Sequence, residues 1–232
     1  MTERAPESTA SLRVAGPADF EAAFAVGKPA IERLTAYADA LALWQKRINL
    51  VSPATIGETW HRHFADSAQI VPLAPPAPET WVDIGSGAGF PGLVVAILLA
   101  DRIPKPMRMT LIESDQKKCA FLGEVLRQVR LPPIISVDIL CARIEHPATQ
   151  SKVVGAEVVS ARALASLDKL LALASPLMAP HGVGLFLKGR GVEAEVTAAR
   201  QSFRFAYEVV PSRTDTEAGI VVMRGPAVEA KG

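Results

Sequence analysis

One segment concentrates residues whose types and spacing could do chemistry: Val82-Asp83-Ile84-Gly85-Ser86-Gly87-Ala88-Gly89-Phe90-Pro91-Gly92. Glycines at alternating positions let the backbone turn tightly with no side chain between it and a ligand, and a helix opening behind them offers unpaired N–H groups. That combination describes nucleotide pockets in general. Gly87, Gly89 and Gly92 satisfy the G-x-G-x-x-G dinucleotide pattern, a weak match by itself. Two carboxylates pull the reading elsewhere. Asp83 sits at the strand end before the loop, where its charge would repel a pyrophosphate and attract a cation. Glu113 ends the next apolar run, where an acidic side chain can accept both hydroxyls of a ribose. S-adenosylmethionine carries a sulfonium and an ammonium group and no phosphate, so Asp83, Gly85, Gly87, Gly89 and Glu113 are read as a methyl-donor pocket. Taken singly, Asp83 could instead brace or cap the loop, and Glu113 could be an exposed strand end.

The elements that must position these residues follow from periodicity. Ile31, Leu34, Ala38, Leu41 and Trp44 recur at helical spacing from Pro29 to about residue 48, and Ser52-Pro53 reads as the start of a second helix reaching about Ser67. The proline-rich VPLAPPAPET follows, and the domain boundary is placed there. Beyond it, the runs TWVDIG, MTLIES, IISVDIL, AEVVSA and GVGLFLKG alternate with amphipathic stretches from about Pro91, Asp115, Leu167 and Val192. Strands alternating with helices predict an α/β fold with a mostly parallel sheet covered on both faces. Two final runs, FAYEVVP and GIVVMRG, have only a turn between them, so the seven-stranded sheet should end in one antiparallel strand. The organisation expected is a mobile tail over 1–18, an N-terminal helical extension over 19–78 and one nucleotide-fold domain over 79–232.

Composition bounds the function. With 232 residues, 49% hydrophobic and 21% charged, the chain is an ordinary globular protein. Cys119 and Cys141 are too few for a disulfide framework, which points to a reducing, cytoplasmic setting. The longest strongly apolar run, Leu93 to Ala100, is far short of the roughly 20 residues of a membrane span, and MTERAPESTA lacks the apolar stretch of a secretory signal. No membrane association is expected. The 25 basic and 24 acidic residues, a formal +1, exclude a protein that coats nucleic acid by bulk charge. A local patch remains: Arg102, Lys105, Arg108, Lys117, Lys118, Arg127 and Arg130 face only Glu113, Asp115 and Glu124 between 102 and 130, unless it is simply a solvated helix face. His61 and His63, two apart on a helix, point about 200° away from each other and cannot readily share an ion, so no metal site is read. His63 and Asp66 lie on one face, where a local hydrogen bond is the plain account. Trp44, Trp60 and Trp81 could stack on bases, though Trp44 falls on the apolar stripe.

The loop VDIGSGAGFPG, ARIE at 142–145, SARALASL at 160–167, FLKG at 186–189, NLVS at 49–52 and RHFADS at 62–67 together resemble the bacterial small-subunit ribosomal RNA methyltransferase G family, formerly glucose-inhibited division protein B. The resemblance runs from about 40 to 225. It implies a class I, Rossmann-like methyltransferase that transfers a methyl group from S-adenosylmethionine to N7 of a specific guanine in 16S ribosomal RNA, on the small-subunit RNA or the assembled subunit. It also implies that Gly85 and Phe90 line the donor pocket, that Ile144 and Glu145 border the adenine, that Arg162 closes the catalytic site, and that the helix carrying His63 covers donor or RNA. Ser160-Ala161 ahead of Arg162 departs from the family's usual Ser-Arg, which predicts an altered turn there. Guanine N7 attacks through an in-plane lone pair without first losing a proton, so no general base is required. The sequence agrees, with neither an Asp/Asn-Pro-Pro-aromatic tetrapeptide nor a Pro-Cys nucleophile after the fourth strand. Arg162 should then point at the donor carboxylate, an RNA phosphate or guanine O6, or form a structural ion pair. Lys188 and Arg190, at the tip of the fifth strand, are expected to contact RNA phosphates. The near-neutral charge favours a preformed particle as substrate, and a monomeric enzyme is expected. A nicotinamide-dependent oxidoreductase and a non-catalytic RNA-binding protein are the rival readings.

Overall fold

The computed structural model of the chain describes residues 12–230. Seven strands, β1 (Thr80–Ile84), β2 (Met107–Glu113), β3 (Ile135–Cys141), β4 (Ala156–Arg162), β5 (Met178–Lys188), β6 (Phe203–Pro211) and β7 (Gly219–Glu229), form one sheet in the order β3-β2-β1-β4-β5-β7-β6. β1 to β5 run parallel, and β7 is antiparallel to both of its neighbours. The expected antiparallel strand is therefore present, but it inserts between β5 and β6 rather than lying at the edge. The reversal of order beside β1 places the tips of β1 and β4 next to each other, the position where open α/β sheets gather ligands. β4 pairs without interruption from Val158 through Arg162 against β5, so Ser160 and Ala161 lie within the regular strand.

Strand side chains alternate between two cores, as a period of two requires. Trp81, Met109, Leu111, Val158 and Leu185 pack on one face with α1 (Pro17–Phe24), α2 (Lys28–Gln45), α4 (Gly92–Leu99) and α5 (Gln116–Val129). Val82, Ile84, Val159, Ala161 and Phe186 pack on the other with α6 (Pro147–Val153), α7 (Leu167–Ala174) and α8 (Val192–Ser202). The N-terminal helices share the first core: Phe20, Leu34, Tyr37 and Leu41 are fully buried, and α2 packs on α5 and α4. Each such side chain contributes roughly 1.5–3 kcal/mol when buried, so the proline-rich segment separates elements along the chain without separating cores. Residues 1–11 of the expected tail lie outside the described residues. Residues 12–18 do not behave as a tail, because the Leu12 N–H donates to the Arg213 carbonyl (2.8 Å), Val14 is buried and Pro17 opens α1.

Two local expectations fail for identifiable reasons. α6 was not predicted between β3 and β4, because its seven residues PATQSKV are mostly polar and bury only Thr149 and Val153. His146 caps it, Nδ1 accepting the Ala148 N–H. The helix expected from Ser52 is replaced by turns and a short 3₁₀ segment (Ile56–Glu58). A π-helical stretch (Thr59–Ala65) follows and runs into α3 (Asp66–Ala68). A wide turn of this kind tends to occur where side chains are aimed at a site. Among the described residues no helix is long and apolar enough to cross a membrane.

Candidate functional site

A cleft of about 1120 Å³ opens over the C-terminal ends of β1, β2, β4 and β5. Pockets for one small ligand hold about 300–1,000 Å³, so this cleft has room for a nucleoside and a second group beside it. Its floor is the glycine loop. Gly87 has φ of +58°, its N–H donates to Glu113 Oε2 (2.8 Å), and a Cβ placed on it would meet nothing closer than 3.8 Å, so it presents bare backbone to the cleft. Gly92 is required for another reason: a Cβ there would lie 2.6 Å from Asp83 Cβ, so α4 could not approach β1. Glu113 lines the cleft as expected, nearly buried, with Oε2 on Gly87 and Oε1 accepting from the Asp115 N–H (2.8 Å). Each oxygen keeps a lone pair for a hydroxyl donor. Gly85, Phe90, Ile144, Glu145 and Arg162 also line the cleft.

Asp83 and Gly89 do not. Gly89 is packed against Tyr37 and Leu122, and its neighbour Ala88 accepts the Tyr37 hydroxyl through its carbonyl. Asp83 is fully buried beneath the loop, where Oδ1 accepts the Ser160 hydroxyl (2.6 Å) and Oδ2 has no partner. Ser160 in turn accepts the indole N–H of Trp81 (2.9 Å). The Asp83 carboxylate therefore lies behind the loop, where the expected direct contact with a ligand in the cleft is not available to it. Burial pushes the Asp83 pKa up to about 6. Between about pH 4, its unfolded value, and pH 6 the folded chain holds a proton that the unfolded chain has lost, so this carboxyl lowers stability as pH rises through that window. His63 acts oppositely: burial and the nearby Arg162 and Arg62 charges lower its pKa to about 3, so its contribution is full above about pH 6.5 and is lost as acid is added. The Asp83→Asn protein should gain about 3 kcal/mol relative to wild type between pH 3.5 and pH 7. Urea unfolding at both pH values measures this, and an equal difference at both would show an unshifted carboxyl.

The opposite wall is built around Arg162, the last residue of β4. Its Cζ lies 4.9 Å over the Phe90 ring, Nη1 donates to the Arg62 carbonyl (2.8 Å) and Asp66 Oδ2 (3.1 Å), and Nη2 donates to His63 Nδ1 (3.0 Å). A guanidinium only donates, so His63 Nδ1 accepts, and Nε2 carries the proton toward Thr55 Oγ1 (3.0 Å). The His63 ring itself stacks on Phe90 at 4.9 Å. The expected local bond between His63 and Asp66 is replaced by Arg162 bridging both, and the π-helical stretch is what aims them at it. Nε and one hydrogen of Nη2 have no partner among the described residues, leaving two donors for a group in the cleft. Ser160 lies in the SARALASL segment noted in the sequence, whereas Thr55 and Tyr37, which bond His63 and the Ala88 carbonyl, carry no motif that singles them out.

The remaining expectations divide. Lys188 pairs with Glu195 (2.6 Å), and Arg190, largely exposed, pairs with Glu217. In the basic segment Arg102 donates to the Phe24 and Ala25 carbonyls, while Lys105 and Arg127 pair with Glu79 and Glu124. Trp81 is fully buried, Trp44 packs edge-on against Phe121 and Trp60 against Phe64, so all three belong to the protein's own packing. Burial raises the Cys119 pKa to about 12, making it a poor nucleophile, and Cys141 is exposed.

A family described as rRNA small subunit methyltransferase G matches residues 30–219. The chain belongs to that family. It is 46% identical over 206 residues to the ribosomal RNA small subunit methyltransferase G of Parvibaculum lavamentivorans, covering 89% of this chain and 88% of that one. It is 46% identical over 200 residues to the protein of that name from Paramagnetospirillum magneticum, covering 86% and 91%. The fold resembles that of a methyltransferase from Geobacter sulfurreducens (TM-score 0.55, 12% identity, 82% and 88% covered). It also resembles a SAM-dependent methyltransferase from Aquifex aeolicus (TM-score 0.51, 12% identity, 81% and 97% covered).

Proposed function

We propose that this chain methylates N7 of a guanine in 16S ribosomal RNA, with S-adenosylmethionine held on the floor of the cleft and the base against the Arg162 wall. The observation that carries this reading is the division of the cleft: bare glycine backbone and a ribose-ready Glu113 on one side, and an arginine with two uncommitted donors on the other. Gly85, Gly87, Phe90, Glu113, Ile144 and Glu145 hold the donor, and Asp83 favours its positive charge from below. When bound, S-adenosylmethionine supplies an electrophilic methyl group on a sulfonium. The protein has no proton to remove, because N7 presents a free lone pair, and His63, which lines the cleft, is neutral and committed to Arg162 and Thr55. Its work is alignment and water exclusion, together with a guanidinium fixed by three acceptors and an aromatic face so that it can hold guanine O6 or the adjoining phosphate without reorganising. Four of the six cationic side chains lining the cleft are paired within the protein, Arg62 with Asp215, Arg162 with Asp66, Lys188 with Glu195 and Arg190 with Glu217, which leaves Lys118 and Arg143 without an ion-pair partner among the described residues. Bulk attraction to RNA is therefore weak, which supports an assembled small subunit as the substrate of a cytoplasmic monomer.

Label transfer from methyl-tritiated S-adenosylmethionine tests the proposal. Incorporation into the RNA of small subunits lacking this modification, well above that into protein-free RNA, is the expected result. Equal turnover on both substrates would remove the preference for a particle, and donor binding without any incorporation would leave a binding protein instead.

A further inference from the structure

We propose that Lys188 and Glu195 are positioning residues which hold the loop 163–166, and with it Leu164, against the donor loop at Gly85. The inference rests on the methyltransferase reading above. Lys188 ends β5 with its side chain only 8% exposed, its ammonium 2.6 Å from Glu195 Oε2 and donating to the Ala165 carbonyl at 2.7 Å. The same Oε2 accepts the N–H of Leu167 at 2.9 Å, the first residue of α7. One carboxylate from the first turn of α8 thus ties together the tip of β5, the loop that leaves β4 and the start of α7.

The loop so held has features that local sequence does not supply. Ala163 has φ of +52°, a left-handed conformation that a residue with a Cβ rarely adopts unless its surroundings impose it. Leu164 is a large apolar side chain left 37% exposed, and it lines the cleft. It leans so closely on Gly85 that a Cβ there would lie 2.5 Å from Leu164 Cδ1. The clamp therefore sets the separation between the donor loop and the wall that begins at Arg162, immediately before Ala163. With the lysine enclosed and the carboxylate 31% exposed, desolvation of the ammonium offsets much of the attraction, so the pair is a poor source of stability. Its contribution is geometric. An ammonium this enclosed, with a carboxylate and a carbonyl already bound, is also a poor phosphate ligand, so this role replaces the RNA contact expected of Lys188.

Glu195→Ala separates the two roles, because it releases Lys188 with its charge intact. For a positioning pair, Glu195→Ala and Lys188→Met should each lower kcat by about tenfold to a hundredfold, change the KM for small subunits and the donor Kd by less than about threefold, and not add when combined. Lys188→Arg, which can reach both acceptors, should recover most of the lost kcat. The amide of Leu167 should exchange with solvent faster in Glu195→Ala, and this readout needs neither donor nor activity. Wild-type kcat in Glu195→Ala would overturn the proposal. So would a Lys188→Met protein whose loss lies in the KM for RNA with a shallower salt dependence, the signature of a phosphate contact, or an unchanged Leu167 exchange rate. Absence of turnover by the wild-type protein would fail the functional reading instead, leaving the exchange measurement to decide the clamp.

Discussion

Replacing Arg162 with alanine is expected to lower kcat by about a hundredfold to a thousandfold, the effect of deleting a preorganised donor, while donor affinity changes by less than about tenfold. Gly87, Glu113 and Ile144, which we propose face the adenosine, belong to the β1–β3 side of the cleft, whereas Arg162 stands at the tip of β4 across the point where strand order reverses. A guanidinium would oppose a sulfonium at close range, so its two uncommitted donors suit the acceptor base. Removing the arginine leaves Asp66 Oδ2 and the buried His63 Nδ1 without that donor while Asp66 Oδ1 keeps Gln69 and Thr214, so urea unfolding should show a loss of about 1–3 kcal/mol in a protein that still folds. Arg162→Lys should not rescue. One ammonium cannot lie flat on Phe90 and reach the Arg62 carbonyl, Asp66 and His63 together. Single-turnover kinetics with saturating donor measure the effect, and a fall in donor affinity as large as the fall in turnover would assign Arg162 to the donor carboxylate.

Glu113→Ala should weaken S-adenosylmethionine binding by about a hundredfold. Hydrogen bonds from two ribose hydroxyls to a carboxylate contribute roughly 1.5 kcal/mol each or more, and about 1.4 kcal/mol is a factor of ten in affinity. The same carboxylate steadies the loop through the Gly87 and Asp115 N–H groups, so a loosened floor adds to the loss. Glu113→Gln keeps one carbonyl acceptor and should lose about tenfold. Calorimetric titration checks both values. Affinity unchanged in Glu113→Ala would show that the ribose does not lie on this side of the loop.

Much of the fold was legible because the seven apolar runs and their turn residues are local signals, and each run became a strand. What escaped was information held in tertiary contacts. α6 has almost no apolar stripe, and β7 takes its place by pairing with β5 across a long separation in the chain. The site shows the same division. Gly85, Gly87, Phe90, Glu113, Ile144, Glu145 and Arg162 were recognisable from type and motif, and all reach the cleft. Asp83 was recognisable too, but spacing cannot tell a carboxylate facing a ligand from one buried behind the loop that holds it. Lys188 shows the same limit of local pattern. A lysine at a strand tip resembles a phosphate contact until Glu195, Ala165 and Leu167 are seen around it. Asp66 and His63 were noticed as a pair, yet their shared partner comes from a strand about a hundred residues later in the chain.

The account turns on a cleft that positions a nucleophile able to react without surrendering a proton. Mass analysis of nucleosides from small subunits treated with the protein and S-adenosylmethionine tests this most directly. It should yield 7-methylguanosine at one site as the only new product. A methyl group on an exocyclic amine, a ribose hydroxyl or a ring carbon would contradict it, because each of those reactions must remove a proton, and His63, the histidine lining the cleft, is already committed to Arg162 and Thr55.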